Sequence, residues 1–209
     1  MARLAQIIMT DRREHWDHTY TVKSDTAVSW YQDVPERSLA LIRKAGKGSL
    51  IDIGGGASRL VDRLLAEGYG NLSVLDISDV ALGRSKERLG TLAVKVSWIV
   101  ADITRWTPER QWDIWHDRAV FHFLTDTAAQ GAYIGALKAG TRPGSHVVIS
   151  TFAFAGPEKC SGLPVQRYSA ETLAARLGSD FVLQTEEAET HPTPFGTTQD
   201  FTYAVFKRI

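Results

Sequence analysis

Leu50-Ile51-Asp52-Ile53-Gly54-Gly55-Gly56 carries an apolar strand straight into three consecutive glycines, and the following apolar strand, Leu72 to Ile77, holds Asp76 near its end. Glycines that close a parallel strand let the backbone turn sharply, and they let a ligand approach the main chain where a Cβ would collide. An acid closing the next strand is placed to accept hydrogen bonds from both hydroxyls of a ribose. Together the two features describe a pocket for a nucleotide-like cofactor.

The choice of cofactor follows from what surrounds the glycines. In the dinucleotide fingerprint G-x-G-x-x-G the last glycine lets a helix pack closely on the strand while its N-terminus faces a pyrophosphate. Gly54 and Gly56 satisfy the first two positions, but the sixth is Arg59. Asp52 also puts a carboxylate inside the turn, where it suits a cationic amino group and repels a pyrophosphate. A third strand, Lys95 to Val100, runs into Ala101-Asp102-Ile103, an acceptor for an exocyclic amine beside an apolar platform for an adenine face. Asp52, Asp76 and Asp102 match the three polar demands of S-adenosylmethionine.

With these residues in hand, the chain resembles the class I S-adenosylmethionine-dependent methyltransferases from about Trp16 to the C-terminus. Residues 51–58 resemble that family's glycine-rich motif, Val74-Leu75-Asp76-Ile77-Ser78 its ribose strand, and Val100-Ala101-Asp102-Ile103 its adenine corner. Leu137 to Ile149 resembles its helix, Leu-Lys-Pro-Gly-Gly turn and fifth strand, with Ala139-Gly140-Thr141-Arg142 looser than usual ahead of Pro143-Gly144. The resemblance implies a Rossmann-like α/β fold: a doubly wound, mostly parallel seven-stranded sheet ending in a C-terminal antiparallel hairpin. It also implies S-adenosylmethionine as cofactor, with Asp52 serving the amino acid portion, Gly54, Gly55 and Gly56 the close backbone approach, Asp76 and Ile77 the ribose, and Asp102 and Ile103 the adenine.

The remaining pattern alternates strand and helix. Leu60, Val61, Leu64 and Leu65 recur at helical spacing before Gly68; further helices are expected near 78–90, 126–138 and 169–177, the last with Ser169 as N-cap. Strands are expected at Asp113 to Asp117 and Ser145 to Phe152, and a hairpin pairs Phe181 to His191 with Gln199 to Arg208 across Pro192-Thr193-Pro194-Phe195-Gly196. Residues 1–35 form an aromatic-rich leading segment ahead of one domain spanning 36–209. In the resembled family such segments close over the cofactor, so Trp16, Trp30 and Tyr31 are candidate lid residues whose ring faces attract a sulfonium.

Ligands of parallel sheets sit at the carboxyl ends of the strands, which draws attention to His116-Asp117-Arg118-Ala119. This stretch resembles the Asp-Arg-Gly/Ala segment of thiopurine and related small-thiol methyltransferases, and Asp-Lys-Gly forms occur in a branch of protein lysine methyltransferases. The Asn/Asp-Pro-Pro-Tyr/Phe segment used on amino groups of nucleic-acid bases does not occur. Methyl transfer from a sulfonium is an in-line displacement that needs alignment and dryness. A thiolate forms near neutral pH and needs no further activation, whereas an ammonium or hydroxyl needs a base. The candidate catalytic residues are Asp117, His116 and His191; His122, in an apolar run, reads as a core histidine. The loop from Ala153 to Arg167, with the single cysteine Cys160, is a candidate substrate-recognition segment.

Composition agrees. The 209 residues include 24 basic and 24 acidic side chains, a balance that argues against broad capture of nucleic acid. No apolar run approaches a membrane span, the opening Met1 to Met9 lacks a signal-peptide cleavage site, and a lone cysteine suits a reducing cytoplasm. No histidine spacing suggests a metal. The expectation is therefore a cytoplasmic methyltransferase acting on a small molecule, foremost a thiol or sulfide; a protein lysine methyltransferase comes second, and an inactive cofactor-binding interaction module is the non-enzymatic alternative.

Overall fold

The structure, a computed structural model, describes the backbone of residues 2–209 and the side chains of residues 12–209; the side chains of the opening Met1 to Met9, read above for a leader, lie outside the described residues. Seven strands form one sheet: β1 (Leu50–Ile53), β2 (Leu72–Asp76), β3 (Val96–Val100), β4 (Trp112–Arg118), β5 (Thr141–Phe152), β8 (Phe181–Pro192) and β9 (Thr198–Arg208). A short separate hairpin, β6 (Lys159–Cys160) with β7 (Leu163–Pro164), lies in the loop after β5. The sheet order is β3-β2-β1-β4-β5-β9-β8, with β1 to β5 parallel and β9 antiparallel to both β5 and β8. The expected seven-stranded, mostly parallel sheet with its terminal hairpin is present.

Helices cover both faces, which is why β1 and β2 are buried along their whole length and read as unbroken apolar runs. On one face α2 (Glu36–Ala45), α3 (Leu60–Ala66) and α4 (Asp79–Leu89) supply Leu39, Ile42, Leu60, Leu64 and Leu82 to a core with Leu50, Val74 and Ile114. On the other, α5 (Thr127–Ala139) and α6 (Ala170–Leu177) pack Tyr133, Leu137 and Leu173 against Ile51, Ile53, Trp115 and Ile149. Three of the helices start on side-chain caps: at α4 Ser78 accepts from the Ala81 amide, at α5 Asp126 accepts from that of Ala129, and at α6 Ser169 forms a capping box with Thr172.

Three features differ from the sequence reading. A leading helix, α1 (Ala2–Val22), occupies most of the aromatic-rich segment and is tied to α4, where the Ser78 hydroxyl donates to Asp17 Oδ1 at 2.6 Å. The helix α2 was not anticipated. Strand β5 begins at Thr141, not Ser145: Thr141 pairs with Trp112 and His146 with Ile114, so the residues around Pro143-Gly144 bulge out of the ladder. Gly144 turns there at φ +94°, which accounts for the looseness of that motif.

Candidate active site

The strand order runs outward to β2 and β3 on one side of β1 and to β4 and β5 on the other, so a crevice opens at the carboxyl ends of β1 and β4. Two adjoining cavities occupy it. The larger, of about 300 Å³, is lined on one side by Asp76, Ile77, Asp102 and Ile103, and on the other by residues of β4, β5, β9 and the small hairpin. The smaller, about 60 Å³, is lined by Asp52, Gly54, Gly55, Tyr31, Arg59 and His116. Gly54, Tyr20, Trp30 and Arg118 border both.

The glycine turn gives these cavities their floor. Gly54 has φ +67°, and a Cβ there would run into Val120 Cγ2. A Cβ on Gly55 would stand 2.5 Å from Asp52 Oδ2. Gly56 borders neither cavity, but its missing Cβ leaves room for Asp76 Oδ2, which would otherwise lie 2.7 Å away. Asp76 is 6% exposed and accepts from the Ser78 amide at 2.8 Å. Desolvation by burial, with the charges of Asp52 and Asp17 adding to it, pushes its carboxyl up to about 7 against the Ser78 hydrogen bond. A carboxylate this short of solvent has strong demand for further donors, and two ribose hydroxyls would supply them. Asp102 uses Oδ1 to accept from the Thr104 amide and hydroxyl, which sets the turn that presents Ile103.

Asp52 is held by His116. The two are register neighbours on β1 and β4, with Nδ1 2.7 Å from Asp52 Oδ1, while Nε2 lies 2.9 Å from Ser38 Oγ on α2. Both imidazole nitrogens are thus engaged and the ring is 2% exposed. His116 accordingly orients Asp52, in place of the base role expected from sequence.

Asp117 also departs from expectation. It borders neither cavity and is fully buried. Oδ1 accepts from the Val120 amide at 2.8 Å; Oδ2 accepts from the Phe121 amide at 3.1 Å and the Tyr133 hydroxyl at 2.6 Å. Burial pushes its carboxyl up to about 6. Its work is to clamp the turn in which Ala119 takes φ +70°, and so to set Arg118 and Val120 against the cavities. His191 likewise borders neither cavity: Nε2 lies 2.9 Å from the Ser29 carbonyl, and burial lowers its pKa, so a neutral ring donates to the loop before Trp30. Buried His122, pushed down to about 3, is a core residue that accepts from the Phe152 amide through Nδ1.

The aromatic residues of the leading segment converge above the larger cavity. Trp16 meets Trp30 edge-on at 5.7 Å and Phe123 at 5.2 Å, and Tyr20 meets Trp30 at 6.3 Å. Tyr31 faces the smaller cavity with the Arg59 guanidinium 5.9 Å above its ring. Sequence reasoning missed Arg118, Phe152, Phe201 and Gln199 as lining residues; a cation directly following Asp117 at a strand's carboxyl end was the available signal for the first.

The residues present fit S-adenosylmethionine: a glycine turn whose Gly54 and Gly55 border the cavities, a desolvated carboxylate at the end of β2, a second carboxylate bordering the smaller cavity, and apolar Ile77 and Ile103 in the wall of the larger. Among the described residues no group of three or more potential ligands could hold a metal ion, and no helix is long and apolar enough to cross a membrane.

Comparison with known proteins agrees with this geometry. The methyltransferase-domain family matches residues 50–144. Nodulation protein S of Rhizobium tropici is 25% identical over 139 residues, which cover 66% of this chain and 56% of that protein. Among solved structures, a SAM-dependent methyltransferase from Anabaena variabilis superposes with a TM-score of 0.73 at 16% identity, covering 97% of this chain and 95% of the other. The N-methyltransferase NodS from Bradyrhizobium japonicum, in complex with S-adenosyl-L-homocysteine, gives 0.68 at 20% identity, covering 91% and 95%. Residues 50–144 thus match the methyltransferase-domain family, and the chain shares the fold of the solved S-adenosylmethionine-dependent methyltransferase structures.

Proposed function

We propose that the protein is an S-adenosylmethionine-dependent methyltransferase whose acceptor is a small molecule, with a thiol as the favoured nucleophile. Bound in the crevice, the cofactor supplies an electrophilic methyl group on a sulfonium. Asp52, oriented by His116, would hold the amino group; Asp76 the ribose hydroxyls; Asp102 the adenine amine, beside Ile77 and Ile103. Gly54 and Gly55 give the methionine portion its close path along the backbone. Trp16, Trp30 and Tyr31 act as a cover that keeps water out, so residues 1–35 function as a lid on the domain at 36–209.

One observation carries the thiol reading: among the described residues, no side chain with a general base's freedom borders the acceptor end of the larger cavity. Asp117 is spent on the turn and the Tyr133 hydroxyl, His116 on Asp52 and Ser38, and His191 stands outside. A thiolate attacks once it is aligned, with no proton left to remove. An amine acceptor is the second reading, favoured by the NodS relative, an N-methyltransferase. A lysine on a folded protein fits less well, because the cavity sits beneath Trp16 and Trp30. A panel of thiols, sulfide, small amines and peptides, assayed for S-adenosylhomocysteine formation, tests this. Turnover of thiols at a kcat/KM at least tenfold above amines is the expected outcome; turnover confined to amines or peptides would overturn the thiol reading.

A further inference from the structure

We propose that Arg118 makes the acceptor end of the larger cavity a site for a small anion, so that the methyl acceptor enters carrying negative charge, on its thiolate or on a carboxylate. This rests on the methyltransferase reading and narrows its substrate class.

The sheet order divides the lining in two. Asp76 and Asp102, the only acids among the described lining residues, stand at the ends of β2 and β3. The opposite wall comes from β4, β5, β9 and the β6–β7 hairpin: Arg118, Phe152, Phe201, Cys160 and Leu163, with Phe123 beside them. That wall contributes no Asp or Glu. An ammonium acceptor would therefore lose its hydration there without gaining a counter-ion, which is costly in an apolar surround. An anion would gain one.

Arg118 is built for that task. Its guanidinium lies 4.8 Å over the Phe201 ring, its Nε donates to the Tyr203 hydroxyl at 3.0 Å, and one terminal nitrogen donates to the Trp30 carbonyl at 3.0 Å. The other terminal nitrogen, buried, has no hydrogen-bond partner among the described residues. Its nearest acid, Glu189, stands at 3.9 Å and is shared with Tyr203 and Gln32. The side chain is only 12% exposed. A rigid, mostly desolvated guanidinium bordering the cavity sets a fixed positive charge in its wall, which suits a carboxylate or thiolate better than a mobile lysine would. The positive charge is felt across the wall: it acts to lower the pKa of the Cys160 thiol, which burial nonetheless pushes up to about 11. Cys160 itself thus stays a neutral thiol and does not compete for the site.

The test uses three probes of one shape and different charge, benzoate, benzamide and benzamidinium, titrated calorimetrically into full-length protein saturated with S-adenosylhomocysteine. Benzoate should bind at least tenfold more tightly than benzamide, with benzamidinium weakest. Arg118→Gln should bring benzoate and benzamide to parity, and Arg118→Lys should restore part of the preference. Equal binding of the three, tightest binding of benzamidinium, or no binding of any of them would overturn the proposal, even in a variant-free experiment. Failure of S-adenosylhomocysteine itself to bind would instead remove the methyltransferase reading beneath it. Turnover separates the two anion sources: 3-mercaptobenzoate outpacing thiophenol by tenfold assigns the charge to a carboxylate, equal rates that both fall at least tenfold in Arg118→Gln assign it to the thiolate, and equal rates that this change leaves unmoved would overturn the proposal.

Discussion

Asp76→Ala weakens S-adenosylmethionine binding about a hundredfold in this account. Two hydrogen bonds from ribose hydroxyls to a carboxylate contribute about 1.5 kcal/mol or more each, and about 3 kcal/mol is close to two decades in Kd. The unliganded protein should barely notice. The variant loses the bond from the Ser78 amide but also removes a desolvated charge facing Asp52 and Asp17, and these act in opposite directions. The same residue gives binding a pH dependence of defined sign. Its folded-state pKa of about 7 lies above the ordinary 3.8, so its contribution to stability is complete below about pH 4 and is lost as pH rises through 7. Ribose hydroxyl donors favour the ionised form. Binding therefore expels a proton, and affinity should climb between about pH 6 and 8 by up to tenfold per unit below the pKa. Calorimetry across that range reads both effects: the climb in the native protein, and a flat profile in Asp76→Ala. An unchanged affinity in the variant would mean that the ribose lies elsewhere.

Gly54→Ala carries the second large effect. The added methyl meets Val120 Cγ2, and the residue must hold φ +67°, a region that costs a side chain about 1 kcal/mol or more. Overpacking of this kind costs about 1–3 kcal/mol further, so urea denaturation should show a loss of about 2–4 kcal/mol, accompanied by loss of cofactor binding because Gly54 borders both cavities. Pairing the change with Val120→Ala removes the collision but leaves the backbone strain. The double variant should therefore recover part of the lost stability, and no recovery would show that Val120 is not the obstacle.

The parts of the molecule written into local pattern were legible in advance. Strand β1 announces itself by an apolar run ending in glycines, and Asp76 and Asp102 by closing the next two strands, because β1, β2 and β3 follow one another in the chain and lie side by side in the sheet. Side-chain partnerships across strands were not. His116 and Asp117 alternate along β4 as period-two geometry requires, but that His116 lands beside Asp52 follows from a register set by the whole sheet. Asp117 looked available because it ends a strand; the backbone reverses through the left-handed Ala119 and brings the Val120 and Phe121 amides onto it. His191 looked catalytic from its place near the hairpin turn, yet its ring is drawn to the Ser29 carbonyl by a loop far away in sequence. Helix α1 is not marked by pattern alone: where it meets α4 the contact is polar, the Ser78 hydroxyl donating to Asp17, and such a partnership follows from the fold.

Three carboxylates at the ends of adjacent strands receiving one cofactor is the claim on which the remainder depends. A crystal structure of the protein grown with S-adenosylhomocysteine tests it most directly. The ligand's amino group is expected at Asp52, its ribose hydroxyls on Asp76 and its adenine between Ile77 and Ile103 with the amine toward Asp102. A ligand bound away from these residues, or a crevice that takes up none at saturating concentration, would contradict it.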